Sequence, residues 1–311
     1  MDEAVLVENL RHQYGPRTSL DGVSFQVNRG ECIGVLGPNG GGKSTLFRIL
    51  STLLSPLAGR ALVFGNDVVE GSAAVRRKIG VVFQSPSLDI YLTTRENLLH
   101  AGHLYGLSGT DLEARIADNL TRFGVNDRAN ERVKQLSGGL RRRVELAKCL
   151  LHKPSLLIMD EPSTGLDPVA RRELWDHLEK LRRENDLTIL LTTHDMEEAE
   201  RCDRVLILDH GRAVAVGRPA ELTAGIAANC ISIESDDAPS LAKAMRERFS
   251  IQPNTSAGTI RIFEDRGPAF PGEILAAFDD LITSLTVSKP TLADVFLQAT
   301  GRTFEVEGSH S

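Results

Sequence analysis

No apolar run in this 311-residue sequence approaches the roughly 18 residues that a membrane-crossing helix needs. The longest runs, Leu156-Leu157-Ile158-Met159 and Ile189-Leu190-Leu191, are strand-length and end in polar residues. Met1-Asp2-Glu3 is acidic, with neither a basic n-region nor an apolar h-region after it, so no signal peptide is expected. Any membrane role must come through a partner. Cysteine is scarce as well. Cys32, Cys149, Cys202 and Cys230 lack metal-ligand spacing and sit among apolar or helical neighbours, which predicts reduced, packed thiols of a cytosolic protein. A basic surplus is also missing. Net charge is −6, and residues 225–311 carry 7 Lys/Arg against 12 Asp/Glu, a balance that argues against a general nucleic-acid surface. Two basic clusters remain, Arg76-Arg77-Lys78 and Arg141-Arg142-Arg143, and a solvated helix face accounts for the first. What is present is an ordinary globular composition, 41% hydrophobic and 25% charged, enough for one large domain with or without a smaller second.

The stretch Gly37-Pro38-Asn39-Gly40-Gly41-Gly42-Lys43-Ser44-Thr45 organises the rest. It follows the apolar run Cys32–Leu36 and precedes a helical pattern, Leu46–Leu50, which is the strand, loop and helix order of a P-loop. Bare glycines let successive backbone N–H groups turn inward around a phosphate chain. The helix opening at Lys43 points its unpaired N–H groups and positive dipole end at the same anion. Lys43 can then neutralise the β- and γ-phosphates, while the Ser44 hydroxyl takes one position on Mg²⁺. A glycine-rich turn that merely starts a helix does not need the Lys-Ser-Thr ending. The stretch is a nucleotide site.

Along the chain, Val5, Val7 and Val23–Val27 alternate in the β manner, with a turn expected at Asp21-Gly22 and a turn-rich loop at 12–17. Helices are expected over 73–78, 94–122 with a break near 106–109, 141–151, 168–185 and 196–201, and Asp111 is the candidate cap after that break. Apolar strands end at Gln84, Asp160 and His194, and a hairpin turns at Asp209-His210-Gly211. Strands alternating with helices imply an α/β domain with ligands at the strand C-terminal ends. After about residue 220 the pattern changes. Alternating strands at 230–234, 259–263 and 285–287, with helices at 241–249 and 272–278, predict a small α+β domain over 225–301, and 302–311 reads as a loose tail.

Leu136-Ser137-Gly138-Gly139-Leu140 precedes the strand Leu156–Met159, which ends in Asp160-Glu161, by a short helix. A Ser N-cap before glycines is unremarkable alone. Joined to 37–45 and to Asp160-Glu161, it resembles the signature of ATP-binding cassette (ABC) ATPases over residues 4 to about 220. The resemblance implies a P-loop NTPase fold with a parallel-sheet core, an antiparallel β subdomain and a helical subdomain at about 94–150, in a domain 1–224. It also implies roles. Tyr14 matches the aromatic that stacks on adenine. Gln84 matches the glutamine that touches Mg²⁺ and the attacking water and links to the membrane partner. Asp160 would hold Mg²⁺ through water, and Glu161 would be the general base. His194 matches the histidine that contacts the γ-phosphate, and Ser163-Thr164-Gly165-Leu166-Asp167 the loop that crosses to a second subunit. In this family the signature of one subunit closes over the P-loop of the other, so a homodimer with two ATP at its interface is implied, with Ser137, Gly138 and Gly139 reaching the γ-phosphate in trans. The chain departs from the pattern at Gly41, often alanine, and at Leu140, usually polar.

Ser87-Leu88-Asp89, Leu92–Leu98 and the ending Pro290-Thr291-Leu292-Ala293-Asp294-Val295-Phe296-Leu297 are similar to the daunorubicin-type exporter ATPases. That implies an ATP-hydrolysing subunit, peripheral on the cytoplasmic face of the membrane and bound to a separate transmembrane permease, with the segment 94–109 as the docking groove. Drugs, lipids or other amphiphiles are the implied cargo. The alternative is a soluble ABC ATPase working on ribosomes or DNA, which usually carries two cassettes or a long coiled-coil insertion. Neither is present, and no nucleic-acid partner is expected. A P-loop kinase or GTPase would not carry the signature.

Overall fold

The computed structural model describes residues 3–227, 229–256 and 258–302. The chain divides into two compact units, 1–213 and 214–311.

The first unit opens with two long strands, β1 (Glu3–Tyr14) and β2 (Arg17–Asn28), paired antiparallel. The expected loop at 12–17 shrinks to Gly15-Pro16, because β1 runs on to Tyr14 and β2 resumes at Arg17. The expected turn at Asp21-Gly22 is instead a bulge inside β2. Pairing steps from Leu10↔Val23 to Arg11↔Asp21, and Gly22, at φ +77°, is the extra residue. A glycine with positive φ serves a bulge as readily as a turn, and local sequence does not separate the two.

β3 (Cys32–Leu36) is wholly buried and runs into the P-loop and α1 (Lys43–Leu50). β4 (Ala58–Val63) and β5 (Asn66–Asp67) complete the antiparallel sheet in the order β2-β1-β4-β5. Next come α2 (Ser72–Lys78), β6 (Ile79–Val82) and two helices, α3 (Thr94–Leu104) and α4 (Gly109–Arg122). A capping box starts α3, with Glu96 N–H donating to the Thr93 hydroxyl and Glu96 accepting from Thr93 N–H. The cap position of α4 is Ser108. Asp111 lies one turn inside, where its carboxylate pairs with Arg115 at 3.0 Å instead of capping. These helices pack with α5 (Gly138–Cys149), and Leu98, Leu112, Ile116 and Val144 are buried on the three of them.

The remaining elements of this unit are β7 (Leu156–Asp160), α6 (Pro168–Asn185), β8 (Thr188–Thr193), α7 (Met196–Glu200) and β9 (Arg204–Asp209). β9-β3-β8-β7-β6 form a parallel sheet. β7 and β8 are buried along their whole length, as central parallel strands covered on both faces must be. The parallel register brings the C-terminal ends of β3, β6, β7 and β8 to one edge. His210 and Gly211, both with positive φ, turn β9 into β10 (Arg212–Gly217), which carries the chain from the first unit to the second.

The second unit continues with α8 (Pro219–Ala224), β11 (Asn229–Glu234), α9 (Ala238–Phe249), β12 (Asn254–Ser256), β13 (Thr259–Glu264), α10 (Phe270–Phe278), β14 (Ser284–Ser288) and α11 (Leu292–Thr300). From β11 to β14 the succession is βαββαβ, and the antiparallel sheet has the order β12-β13-β11-β14, a ferredoxin-like arrangement. Ile231, Ile233, Ile260 and Ile262 on one sheet face pack against Leu241, Met245, Phe270 and Ile274 of the two helices. The expected tail at 302–311 lies, from 303 on, outside the described residues. All four cysteines are free and buried.

Candidate active site

Two glycines of the P-loop are required by space. A Cβ at Gly37 would collide with the Leu208 carbonyl of β9, and one at Gly42, which sits at φ +108°, would lie 2.6 Å from the Ser19 carbonyl. The loop is thus wedged between β9 and the hairpin, which fixes its curvature before any phosphate arrives. Gly41 is nearly as tight, since its Cβ would lie 3.0 Å from the Leu208 and Pro38 carbonyls. The Ser19 and Thr45 hydroxyls, 2.6 Å apart, tie β2 to the start of α1.

Lys43 is buried, and its Nζ donates to the carbonyls of Gly37 at 2.8 Å and Pro38 at 3.2 Å. Burial holds this ammonium below the usual lysine range, while Glu161, 3.6 Å away, and Asp160 pull it back up. Asp160, at the end of β7, has the opposite problem. Desolvation pushes its carboxyl above the ordinary aspartate range, against the Thr192 and Ser44 hydroxyls that bond to it.

Glu161 stands just past the strand end at φ +46°, in the left-handed region that costs a non-glycine residue of order 1–3 kcal/mol. Its N–H is held by Thr192, through the carbonyl at 3.1 Å and the hydroxyl at 3.0 Å. That turn aims the carboxylate across the sheet edge. Oε2 accepts from Gln84 Nε2 at 3.1 Å and from the Thr164 hydroxyl at 3.3 Å. Oε1 lies 3.3 Å from His194 Nδ1, without hydrogen-bond geometry, which leaves that buried imidazole nitrogen unpartnered. Lys43, Gln84, Asp160, Glu161 and His194, predicted from three separate strand ends and the P-loop, therefore meet around one carboxylate.

The other predicted residues fall around this group in two sets. Tyr14 is 44% exposed at the end of β1, edge-on to His12 at 4.8 Å. Its turn lies beside the P-loop, because a Cβ at Gly40 would be 3.0 Å from Arg17 Nη2. Ser137, Gly138 and Gly139 open α5, with the Ser137 hydroxyl accepting from Leu140 N–H at 3.3 Å, and nothing within 4 Å of where a Gly138 Cβ would be. Asp167 caps α6, its Oδ1 accepting from Val169 and Ala170 N–H at 3.0 Å. The space at Gly138 is open, whereas a Cβ at Gly139 would lie 3.2 Å from Ala170 Cβ.

Arg17, Ser19, Thr192 and Arg142 were not read from sequence as site residues. Thr192 carried a signal, since a threonine inside a buried strand beside an acidic strand end needs a polar partner. The oxygen set of Ser44, Asp160 and Gln84 fits a hard cation. Among the described residues no group of three or more His, Cys, Asp or Glu could hold a metal ion.

Comparison with known proteins decides the family. A profile described as ABC transporter matches residues 20–164. A daunorubicin resistance ATP-binding protein of Streptomyces coeruleorubidus is 40% identical over 306 residues, covering 96% of both chains. A Nod factor export ATP-binding protein of Bradyrhizobium diazoefficiens is 40% identical over 304 residues, covering 97% of this chain and 98% of the relative. The chain belongs to the ABC transporter family. It is an ATP-binding subunit of exporter type, an ATPase whose hydrolysis powers transport. Among solved structures, cbiO1 from Clostridium perfringens, part of the ABC transporter complex cbiONQ, superposes with TM-score 0.67 at 29% identity, covering 80% of this chain and 97% of that one. A dimeric bacterial ABC transporter cassette superposes at TM-score 0.63 and 28% identity, covering 69% and 98%. The first unit is thus an ABC cassette.

Proposed function

We propose that this subunit hydrolyses MgATP at a site closed by a second copy of itself, and that it drives export through a separate membrane-spanning chain. The observation that carries the reading is the meeting of Lys43, Asp160, Glu161, Gln84 and His194 at one edge of the parallel sheet. In this reading the P-loop N–H groups and Lys43 bind the β- and γ-phosphates, which take the place of the Gly37 and Pro38 carbonyls at Nζ and relieve its desolvation. Ser44, Asp160 and Gln84 hold Mg²⁺, which when bound neutralises charge on the phosphate oxygens. Glu161 accepts the proton of the attacking water, and its left-handed turn keeps it aimed. Gln84 orients that water, and the unpartnered His194 Nδ1 contacts the γ-phosphate. Tyr14 stacks on adenine. Ser137, Gly138 and Gly139 bind the γ-phosphate held by the other copy, and the loop ending at Asp167 crosses to it.

No described helix is long and apolar enough to cross a membrane, and in this reading the translocation path lies in a partner. A groove of about 600 Å³ beside Gln84, lined by Phe83, Ser87, Leu104, Tyr105 and Lys148, is open to that partner. Leu104 there is 88% exposed, an apolar side chain without a cover. We place the subunit on the cytoplasmic face of the membrane, with small amphiphilic molecules as cargo. The names of the two full-length relatives support that class and do not favour work on ribosomes or DNA.

Replacing Glu161 by glutamine keeps the shape and removes the base. Turnover is expected to fall by about a hundredfold or more with ATP binding retained, and unchanged turnover would remove Glu161 from this role. Co-purification with a six-span membrane chain supports the transport reading, whereas a stable complex with ribosomes would contradict it.

A further inference from the structure

α5 carries a second polar cluster, fully buried, that the chemistry above does not use. Arg142 and Glu145 are 7% and 0% exposed and lie one turn apart. The Arg142 guanidinium divides its donors among four acceptors. Nε donates to the Pro162 carbonyl at 2.7 Å, Nη1 to the Phe83 carbonyl at 2.7 Å and to Glu145 Oε2 at 2.8 Å, and Nη2 to the Glu161 carbonyl at 3.4 Å. Glu145 Oε1 accepts from Ser87 N–H at 2.6 Å. One turn further, Lys148 Nζ donates to the Ser87 carbonyl at 2.6 Å and its hydroxyl at 2.7 Å. A single helix face therefore holds both ends of the segment 83–87, which contains Gln84, and the two peptides that follow Asp160.

Stability alone does not explain this arrangement. A buried ion pair often contributes no more than well-packed apolar side chains of the same volume, because both charges lose their water. Here every donor of the pair beyond the ion pair itself ends on backbone carbonyls that flank Gln84 or Glu161. The Glu161 peptide is gripped from both sides, by Thr192 on its N–H and by Arg142 on its carbonyl, which is what a left-handed residue needs to stay in place.

We propose that Arg142 and Glu145 are positioning residues for hydrolysis, holding Gln84 against Glu161 at the 3.1 Å separation seen here. Because the same helix is capped by Ser137 and lines the groove with Lys148 near its other end, a shift of Ser87 in that groove reaches Glu161 through this pair. The proposal rests on Gln84 and Glu161 acting as read above.

The test is steady-state hydrolysis by the full chain, with MgATP affinity and thermal midpoint measured alongside. Arg142→Lys keeps the charge but cannot reach three segments at once. It is expected to lower kcat by about tenfold or more while KM stays within about twofold. Glu145→Gln should follow in the same sense, and Lys148→Ala, near the surface, should lower kcat by about two- to threefold. A purely structural pair would lower the thermal midpoint and leave kcat of the folded variant unchanged. Wild-type kcat in folded Arg142→Lys overturns the proposal. If that variant does not fold, wild-type kcat in both Glu145→Gln and Lys148→Ala overturns it. Glu161→Gln is assayed in parallel. Full turnover there removes the catalytic reading and this proposal with it, whereas an inactive Glu161→Gln beside fully active clamp variants removes the clamp alone.

Discussion

Two buried aspartates, Asp160 of the first unit and Asp294 of the second, are treated in opposite ways. In the second unit Asp294 is 2% exposed and fully partnered. It accepts from Thr291 N–H at 2.8 Å and the Thr291 hydroxyl at 2.9 Å, closing the capping box of α11, and it pairs with Arg261. In the cassette Asp160 is 9% exposed and receives hydroxyls, with Lys43 as its nearby cation turned toward carbonyls. A buried carboxylate supplied with a guanidinium and N–H donors is a structural joint. One left short of positive charge is, in the function proposed above, the place for a cation that comes and goes. Burial alone does not distinguish a site from a core. The balance of partners does.

Breaking the joint should have the largest effect on stability. Asp294→Ala removes the partner of the half-exposed Arg261 and uncaps α11, and is expected to destabilise the second unit by about 2–3 kcal/mol in a denaturant titration. A loss below about 1 kcal/mol would place Asp294 with Asp160.

Asp160→Asn should lower MgATP turnover by about a hundredfold, roughly 2.7 kcal/mol of transition-state stabilisation, measured by phosphate release. The same substitution should raise the stability of the nucleotide-free protein by about 1 kcal/mol, because it removes a charge that burial disfavours. The sign with pH follows from the raised folded-state value. The native state holds the Asp160 proton more tightly than the unfolded chain, so the wild type loses stability as pH rises from the ordinary aspartate value of 3.8 through the folded one. The advantage of Asp160→Asn should therefore grow over that window and level off above it. A variant that is less stable at every pH would contradict this account of Asp160.

Much of the cassette was legible because its demands are local. Phosphate cradling needs consecutive peptides without Cβ atoms, which marks 37–45 directly. Buried parallel strands read as apolar runs, so the polar residues where they stop, Gln84, Asp160 and His194, stood out. The parts that escaped depend on distant partners. Asp21-Gly22 is a bulge and not a turn because β1 continues opposite it. The cap of α4 is the exception, a local one: the helix starts at Gly109, which leaves Asp111 inside it and paired with Arg115 four residues on. Arg142 belongs to a basic cluster that the sequence left without an explanation, and nothing near it in sequence says that the carbonyls of Phe83 and Pro162 surround it. The ferredoxin-like order of the second unit was hidden by β12, three residues long and without a pattern of its own.

The measurement that bears most directly on the account is size-exclusion chromatography with light scattering on Glu161→Gln, with and without MgATP. The account predicts a monomer that becomes a dimer only with MgATP, because the α5 N-terminus and the P-loop of one copy are each half of a site. A monomer at saturating MgATP, or a dimer indifferent to it, would contradict the composite site.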